Sequence, residues 1–139
     1  MNINYLIFLN LFALSFAQLT LIHDGIEREY YMSYPAGAEE ACPLIINMHG
    51  FGSNALDQQN YSEMDSYAHA ENMAVVYPEG INNAWNVGTF WDGNGSIDDI
   101  GFIDVMIDSI AQNFNIDLDR IYACGMSNGG YMTYELACG

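Results

Sequence analysis

The sequence contains no lysine and only two arginines, Arg28 and Arg120, against 18 acidic residues. A formal net charge of −16 repels phosphate backbones and anionic lipid surfaces. It argues against a nucleic-acid partner and against electrostatic attachment to a membrane. The acidity reads as a solubility property and carries little information about chemistry. Cysteine is also scarce. Cys42, Cys124 and Cys138 make an odd number, and none sits in a C-x-x-C or His-rich spacing. A thiolate metal site is therefore not expected, and in an oxidising compartment one cysteine would need a partner elsewhere. Long apolar runs are lacking too. The run 6–14 falls short of the ~20 residues that span a bilayer. Residues 1–17 carry no charged side chain, and Ser15-Phe16-Ala17 places small residues around a bulky one. This is the pattern of a secretory signal peptide cut before Gln18. It predicts a secreted chain, extracellular or periplasmic, with no stable membrane anchor and a mature length of 139 − 17 = 122 residues.

What is present suits one packed domain. The chain has 139 residues, 51% of them hydrophobic and 14% charged, which is far from a disordered composition. Two β-prone runs, 19–23 and 26–34, flank Asp24-Gly25, a pair that favours a tight hairpin turn. Apolar runs at 44–48 and 73–77 read as strands buried on both faces. Residues 61–72 read as a helix with Tyr61, Met64 and Ala68 on one stripe. The segment 81–95 reads as loop. Ser96 and Asp99 have the spacing of a capping box. The helix after them buries Ile100, Ile103, Met106, Ile107, Ile110 and Phe114, with Asp104, Asp108, Gln112 and Asn115 on the wet face. A strand at 120–124, a turn at 125–129 and a helix at 130–137 close the chain. The alternation predicts an α/β fold, a hairpin followed by a mostly parallel sheet with flanking helices.

Gly125-Met126-Ser127-Asn128-Gly129 fits G-x-S-x-G, with a strand before it and a helix after it. That context exposes a nucleophilic serine on a strained turn at the C-terminal edge of the sheet. Ser127 is the candidate nucleophile, and the Asn128 N–H is a candidate oxyanion donor at a helix N-terminus. The loop His49-Gly50-Phe51-Gly52 would supply the second donor, the Phe51 N–H. His49 is read as a brace for that loop and not as the general base. His23 and His69 have no motif around them. His23 is placed beside the hairpin turn and His69 on a helix surface.

The blocks Asn47-Met48-His49-Gly50-Phe51-Gly52, Tyr77-Pro78-Glu79-Gly80, Trp85-Asn86, Asp98-Asp99-Ile100-Gly101-Phe102-Ile103 and Gly125-Met126-Ser127-Asn128-Gly129-Gly130 occur in that order. Together they resemble the polyhydroxybutyrate depolymerase and feruloyl esterase family of secreted α/β hydrolases. The resemblance implies the N-terminal portion of an α/β-hydrolase fold. It also implies ester hydrolysis by a serine with a later Asp and a still later His. Only 139 − 127 = 12 residues follow Ser127, so the expectation is a partial domain over 18–139 that stops after the nucleophile turn. Such a chain, lacking its acid and base, would be inactive alone.

Trp85 and Trp91 are candidate substrate-binding residues in the aromatic loop, with core packing an equal alternative for Trp85. The segment 92–98 alternates oxygen ligands as calcium loops do, but Ile97 and Ile103 stand where that pattern needs Gly and Glu. No metal and no cofactor is therefore assigned. The substrate would be a carboxylic ester, on a polyester or a plant cell-wall sugar by resemblance. The competing reading is a non-catalytic secreted module that binds carbohydrate or ester through the aromatic loop.

Overall fold

The computed structural model describes residues 16–88 and 94–138. Strand β1 (Phe16–His23) and strand β2 (Ile26–Ser33) form the expected hairpin. Asp24 and Gly25 sit at φ 50° and 76° in its turn, which is why an Asp-Gly pair is needed there. β1 starts earlier than the sequence suggests. Phe16 and Ala17 already pair with Ser33 and Met32, so a cut before Gln18 would remove two rungs of the ladder. The rest of the signal-peptide segment lies outside the described residues.

Strand β3 (Cys42–Met48) and strand β4 (Ala74–Pro78) are parallel neighbours and almost wholly buried, as their apolar runs predict. Between them lie two short helices, α1 (Ala55–Ser62) and α2 (Met64–Ala70). The single helix read at 61–72 is thus corrected. Glu63 takes a left-handed conformation, φ 47°, and breaks the chain between α1 and α2. Asn54 starts α1 by accepting the Asp57 N–H. Tyr61, read as part of a buried stripe, is 72% exposed because the break turns its helix face outward.

Helix α3 (Asp99–Asn113) packs on the sheet through Phe102, Ile103, Met106 and Ile110. Its cap is not the Ser96–Asp99 box. Asp98 is the N-cap and accepts the Gly101 N–H, which frees Asp99 to turn inward. The buried face also differs from the one expected, since Phe102 is in the core and Ile100 lies at the rim. Strand β5 (Ile116–Gly125) begins before the predicted 120–124, and helix α4 (Asn128–Cys138) follows.

The sheet order is β1-β2-β4-β3-β5, with β3, β4 and β5 parallel, β2 antiparallel to β4, and β1 antiparallel to β2. This is a mixed α/β sheet with flanking helices. Met32, Leu44, Ile46, Met48, Trp85 and Met132 join the α3 residues in one core. No described helix is long and apolar enough to cross a membrane.

Candidate active site

The turn between β5 and α4 holds the most constrained backbone near a reactive side chain. Ser127 is solvent-exposed at φ 51°. A left-handed serine is uncommon and costs about 1 kcal/mol or more, so surrounding structure must impose it. That structure is visible. A side chain on Gly125 would overlap the Gly129 backbone, and one on Gly129 would overlap the carbonyls of Met48 and His49. The Met126 N–H bonds the Met48 carbonyl at 3.1 Å, and the Gly129 N–H bonds the Met126 carbonyl at 2.9 Å. The glycines of the motif are therefore there to let α4 lie against the end of β3.

The loop after β3 reaches the same point. A Cβ built on Gly50 would stand 3.5 Å from the Ser127 Cβ. Next to it, Phe51 is exposed, and Gly52, at φ 75°, donates to the Asn83 carbonyl at 2.8 Å. Asn128 opens α4, and the first amides of a helix have no intrahelical acceptor. Ser127, the 50–52 loop and the Asn128 amide thus converge at one exposed corner of the sheet.

His49 is fully buried and committed to other partners. Its Nδ1–H donates to the Gly50 carbonyl at 2.9 Å, and its Nε2 accepts the Gly80 N–H at 3.0 Å. Both roles are forced, because a carbonyl only accepts and an amide only donates. The ring is neutral, and burial pushes its pKa below the ordinary 6.5. Glu79 Oε1 lies 3.6 Å from Nε2, but with that nitrogen accepting from Gly80 the contact is not an ion pair. His49 braces the loop, as expected from sequence. The other two histidines are also engaged, His23 with Asp98 and His69 with Ser33. All three histidine rings thus have hydrogen-bond partners other than Ser127.

Trp85 is corrected from substrate platform to core. It is 0% exposed, and its indole N–H donates to the His49 carbonyl at 2.9 Å. Its backbone N–H donates to Asn128 Oδ1 at 2.7 Å, and Asn128 Nδ2 donates back to the Trp85 carbonyl at 3.2 Å. The Asn128 side chain therefore ties the 125–129 turn to the 84–86 segment, and the Trp85 ring ties that segment to the loop that begins at His49. Trp91, the other aromatic candidate, lies outside the described residues, as do positions 92 and 93 of the 92–98 segment.

One buried cluster escaped the sequence reading. Arg28 donates to Asp99 Oδ1 at 2.7 Å with both side chains 1% exposed. The second oxygen, Asp99 Oδ2, accepts the Asn86 N–H at 2.7 Å. The guanidinium also lies 3.8 Å over the Phe102 ring and reaches the Glu79 carbonyl. This cluster pins the 79–86 segment, and with it Trp85, to the start of α3. Asp99 looks like a capping residue in sequence. Only its burial beside one of two arginines shows otherwise.

A glycine-framed serine on a strand-to-helix turn of a mixed α/β sheet, facing a second loop after the neighbouring strand, defines an α/β hydrolase. Solved structures share that fold. The chain superposes with a TM-score of 0.71 and 17% identity on an acetyl xylan esterase from Aspergillus awamori, covering 88% of this chain and 46% of that one. It superposes with a TM-score of 0.70 and 19% identity on an S-formylglutathione hydrolase from Agrobacterium tumefaciens, covering 88% and 52%. The esterase PHB depolymerase family matches residues 28–138, and the chain belongs to that family. Its relatives include a bifunctional acetylxylan esterase/xylanase from Neocallimastix patriciarum, 30% identical over 112 residues, which cover 81% of this chain and 16% of that protein. A feruloyl esterase C from Emericella nidulans is 30% identical over 118 residues, covering 80% and 41%. The chain spans less than half the length of these two relatives.

Proposed function

We propose that this chain carries the nucleophile and oxyanion half of a secreted serine esterase that hydrolyses carboxylic esters through an acyl-enzyme. The observation that carries the reading is Ser127 itself, exposed in a left-handed conformation beside Gly50. In this reading Ser127 Oγ attacks the ester carbonyl. The N–H groups of Phe51 and Asn128 stabilise the negative charge that develops on the carbonyl oxygen. The alcohol leaves, and water then cleaves the acyl-serine.

The general base and its acidic partner come from outside these 139 residues. Two observations support this. Each histidine of the chain has another partner. The relatives also extend well beyond the matched region. The chain alone is then inactive. The substrate class follows from the relatives named for feruloyl and acetylxylan esters, so an ester on a plant cell-wall polysaccharide is favoured over a polyester. Burial of Trp85 removes one of the aromatic platforms on which a purely binding role would rest.

The test is cleavage of p-nitrophenyl acetate by an enzyme that joins this chain to the acid- and base-bearing remainder. Ser127→Ala is expected to lower kcat/KM by about 10⁴-fold or more with the fold retained. A variant that keeps most of its activity removes Ser127 from the nucleophile role.

A further inference from the structure

Away from Ser127, the hairpin turn meets the start of α3. His23 closes β1, Asp24 is the first turn residue, and Asp98 caps α3. His23 Nε2 stands 3.1 Å from Asp98 Oδ2 and 3.8 Å from Asp24 Oδ2. The three ligand atoms lie within 4.8 Å of one another, the one such group among the described residues. Ligands about 2.1 Å from a tetrahedral dication stand ~3.4 Å apart, so two of these three spacings bracket the value an ion requires.

We propose that His23, Asp24 and Asp98 form a binding site for one transition-metal dication of the zinc type, which clamps the β1–β2 turn to the N-terminus of α3. The donor set decides the class. One imidazole with two carboxylates suits zinc, manganese or cobalt, whereas calcium and magnesium take oxygen ligands. Asp24 and Asp98 are both more than half exposed, so water completes the coordination shell. Metal binding would use the lone pair of His23 Nε2, with the imidazole proton carried on Nδ1.

Three further features favour a cation here. Asp98 meets His23 through Oδ2 alone. Its other oxygen keeps the capping bond to Gly101 at 2.9 Å, so metal binding does not uncap α3. Position 101 must be glycine for the ligands to meet. A Cβ there would overlap the Asp98 carboxylate and lie 2.9 Å from His23 Cε1. No cation of the protein competes for the site, since Arg28 is held by Asp99 and Arg120 by Asp117. The site shares no residue with the catalytic set, so its role is structural.

Calorimetric titration of the 139-residue chain with zinc chloride tests the site. One equivalent is expected to bind. His23→Ala and Asp24→Asn are each expected to weaken it at least about ten-fold, since even outer-shell changes cost that much. Asp98→Asn keeps an N-cap side chain and should weaken binding equally, which separates ligand loss from loss of fold. His69→Ala should bind as the parent does. With cobalt in place of zinc, the spectrum should show d–d bands and no thiolate charge-transfer band. Absence of saturable binding, full binding by His23→Ala, or a thiolate band from Cys124 or Cys138 would each overturn the proposal.

Discussion

Replacing Asp99 by alanine removes one half of a buried ion pair and leaves the other. Arg28 would keep its place over Phe102 and its 3.3 Å bond to the Glu79 carbonyl, but its charge would have no counterion. Its Nε already lacks a partner. Breaking a buried pair in this way costs about 3–5 kcal/mol, because the stranded charge is desolvated without compensation. The Asn86 amide loses its acceptor as well, an effect of about 1–3 kcal/mol that overlaps the first. Against a domain stability of roughly 5–15 kcal/mol, this is a large share. Urea unfolding, followed by far-UV circular dichroism at low ionic strength, provides the assay. Asp98→Ala serves as the control. It removes a solvent-exposed cap one residue away and should cost only about 1 kcal/mol. A double variant, Arg28→Met with Asp99→Asn, removes both charges and leaves Asn86 an acceptor. It should be milder than Asp99→Ala alone. If Asp99→Ala costs no more than Asp98→Ala, the buried pair does not hold the 79–86 segment. If the double variant is as damaged as the single one, the loss does not come from an uncompensated charge.

Two further outcomes follow from the same structure. Burial lowers the His49 pKa, so the unfolded chain takes up a proton that the folded chain excludes; this contribution is complete above pH 6.5 and is lost as pH falls toward the depressed value. Unfolding free energy measured between pH 7 and 5 should therefore decline in the parent and flatten in His49→Asn, and an unchanged slope would count against a neutral buried ring. β5 pairs only with β3 among the described strands, and beside it Ile46, Ile103, Ile107, Ile121 and Leu136 line a groove of about 390 Å³. Sedimentation should show self-association that rises with salt, as screening to about 8 Å weakens charge repulsion while strand pairing acts at contact; a monomer at both low and high salt would refute this.

The parts of the site legible in sequence are those where a local conformation admits few residue types. Gly125, Ser127 and Gly129 are readable because the strained turn and the close approach of α4 to β3 exclude side chains at both glycines. Asp24-Gly25 is readable for the same reason. Contacts between distant residues are not. Trp85 is core because Asn128, 43 residues away, bonds both of its backbone groups. Asp99 is buried because Arg28, 71 residues away, neutralises it. In each case the sequence shows a residue equally at home on a surface. The break at Glu63 has no local signal either, since glutamate does not favour a left-handed backbone.

The register between β3 and β5 links these parts. Leu44 pairs with Ile121, and the pairing continues to Met48 against Gly125. Upstream, Cys42 pairs with Ile116, so β5 spends five residues where β3 spends two. The extra residues leave the ladder at 117–120, where Arg120 bonds Asp117 and the Ala41 carbonyl and fixes the excursion. An irregularity of this kind lets a strand absorb length without passing the shift along. Its position matters for chemistry. Met48 opposite Gly125 is what brings the Met48 carbonyl to the Met126 amide and the bare Cα of Gly129 against the end of β3. A slip of one residue would turn each following side chain of β5 to the other face and put a side chain where only glycine fits. The bulged, exposed start of β5 therefore sets where Ser127 stands relative to Gly50, although it lies well upstream of that turn.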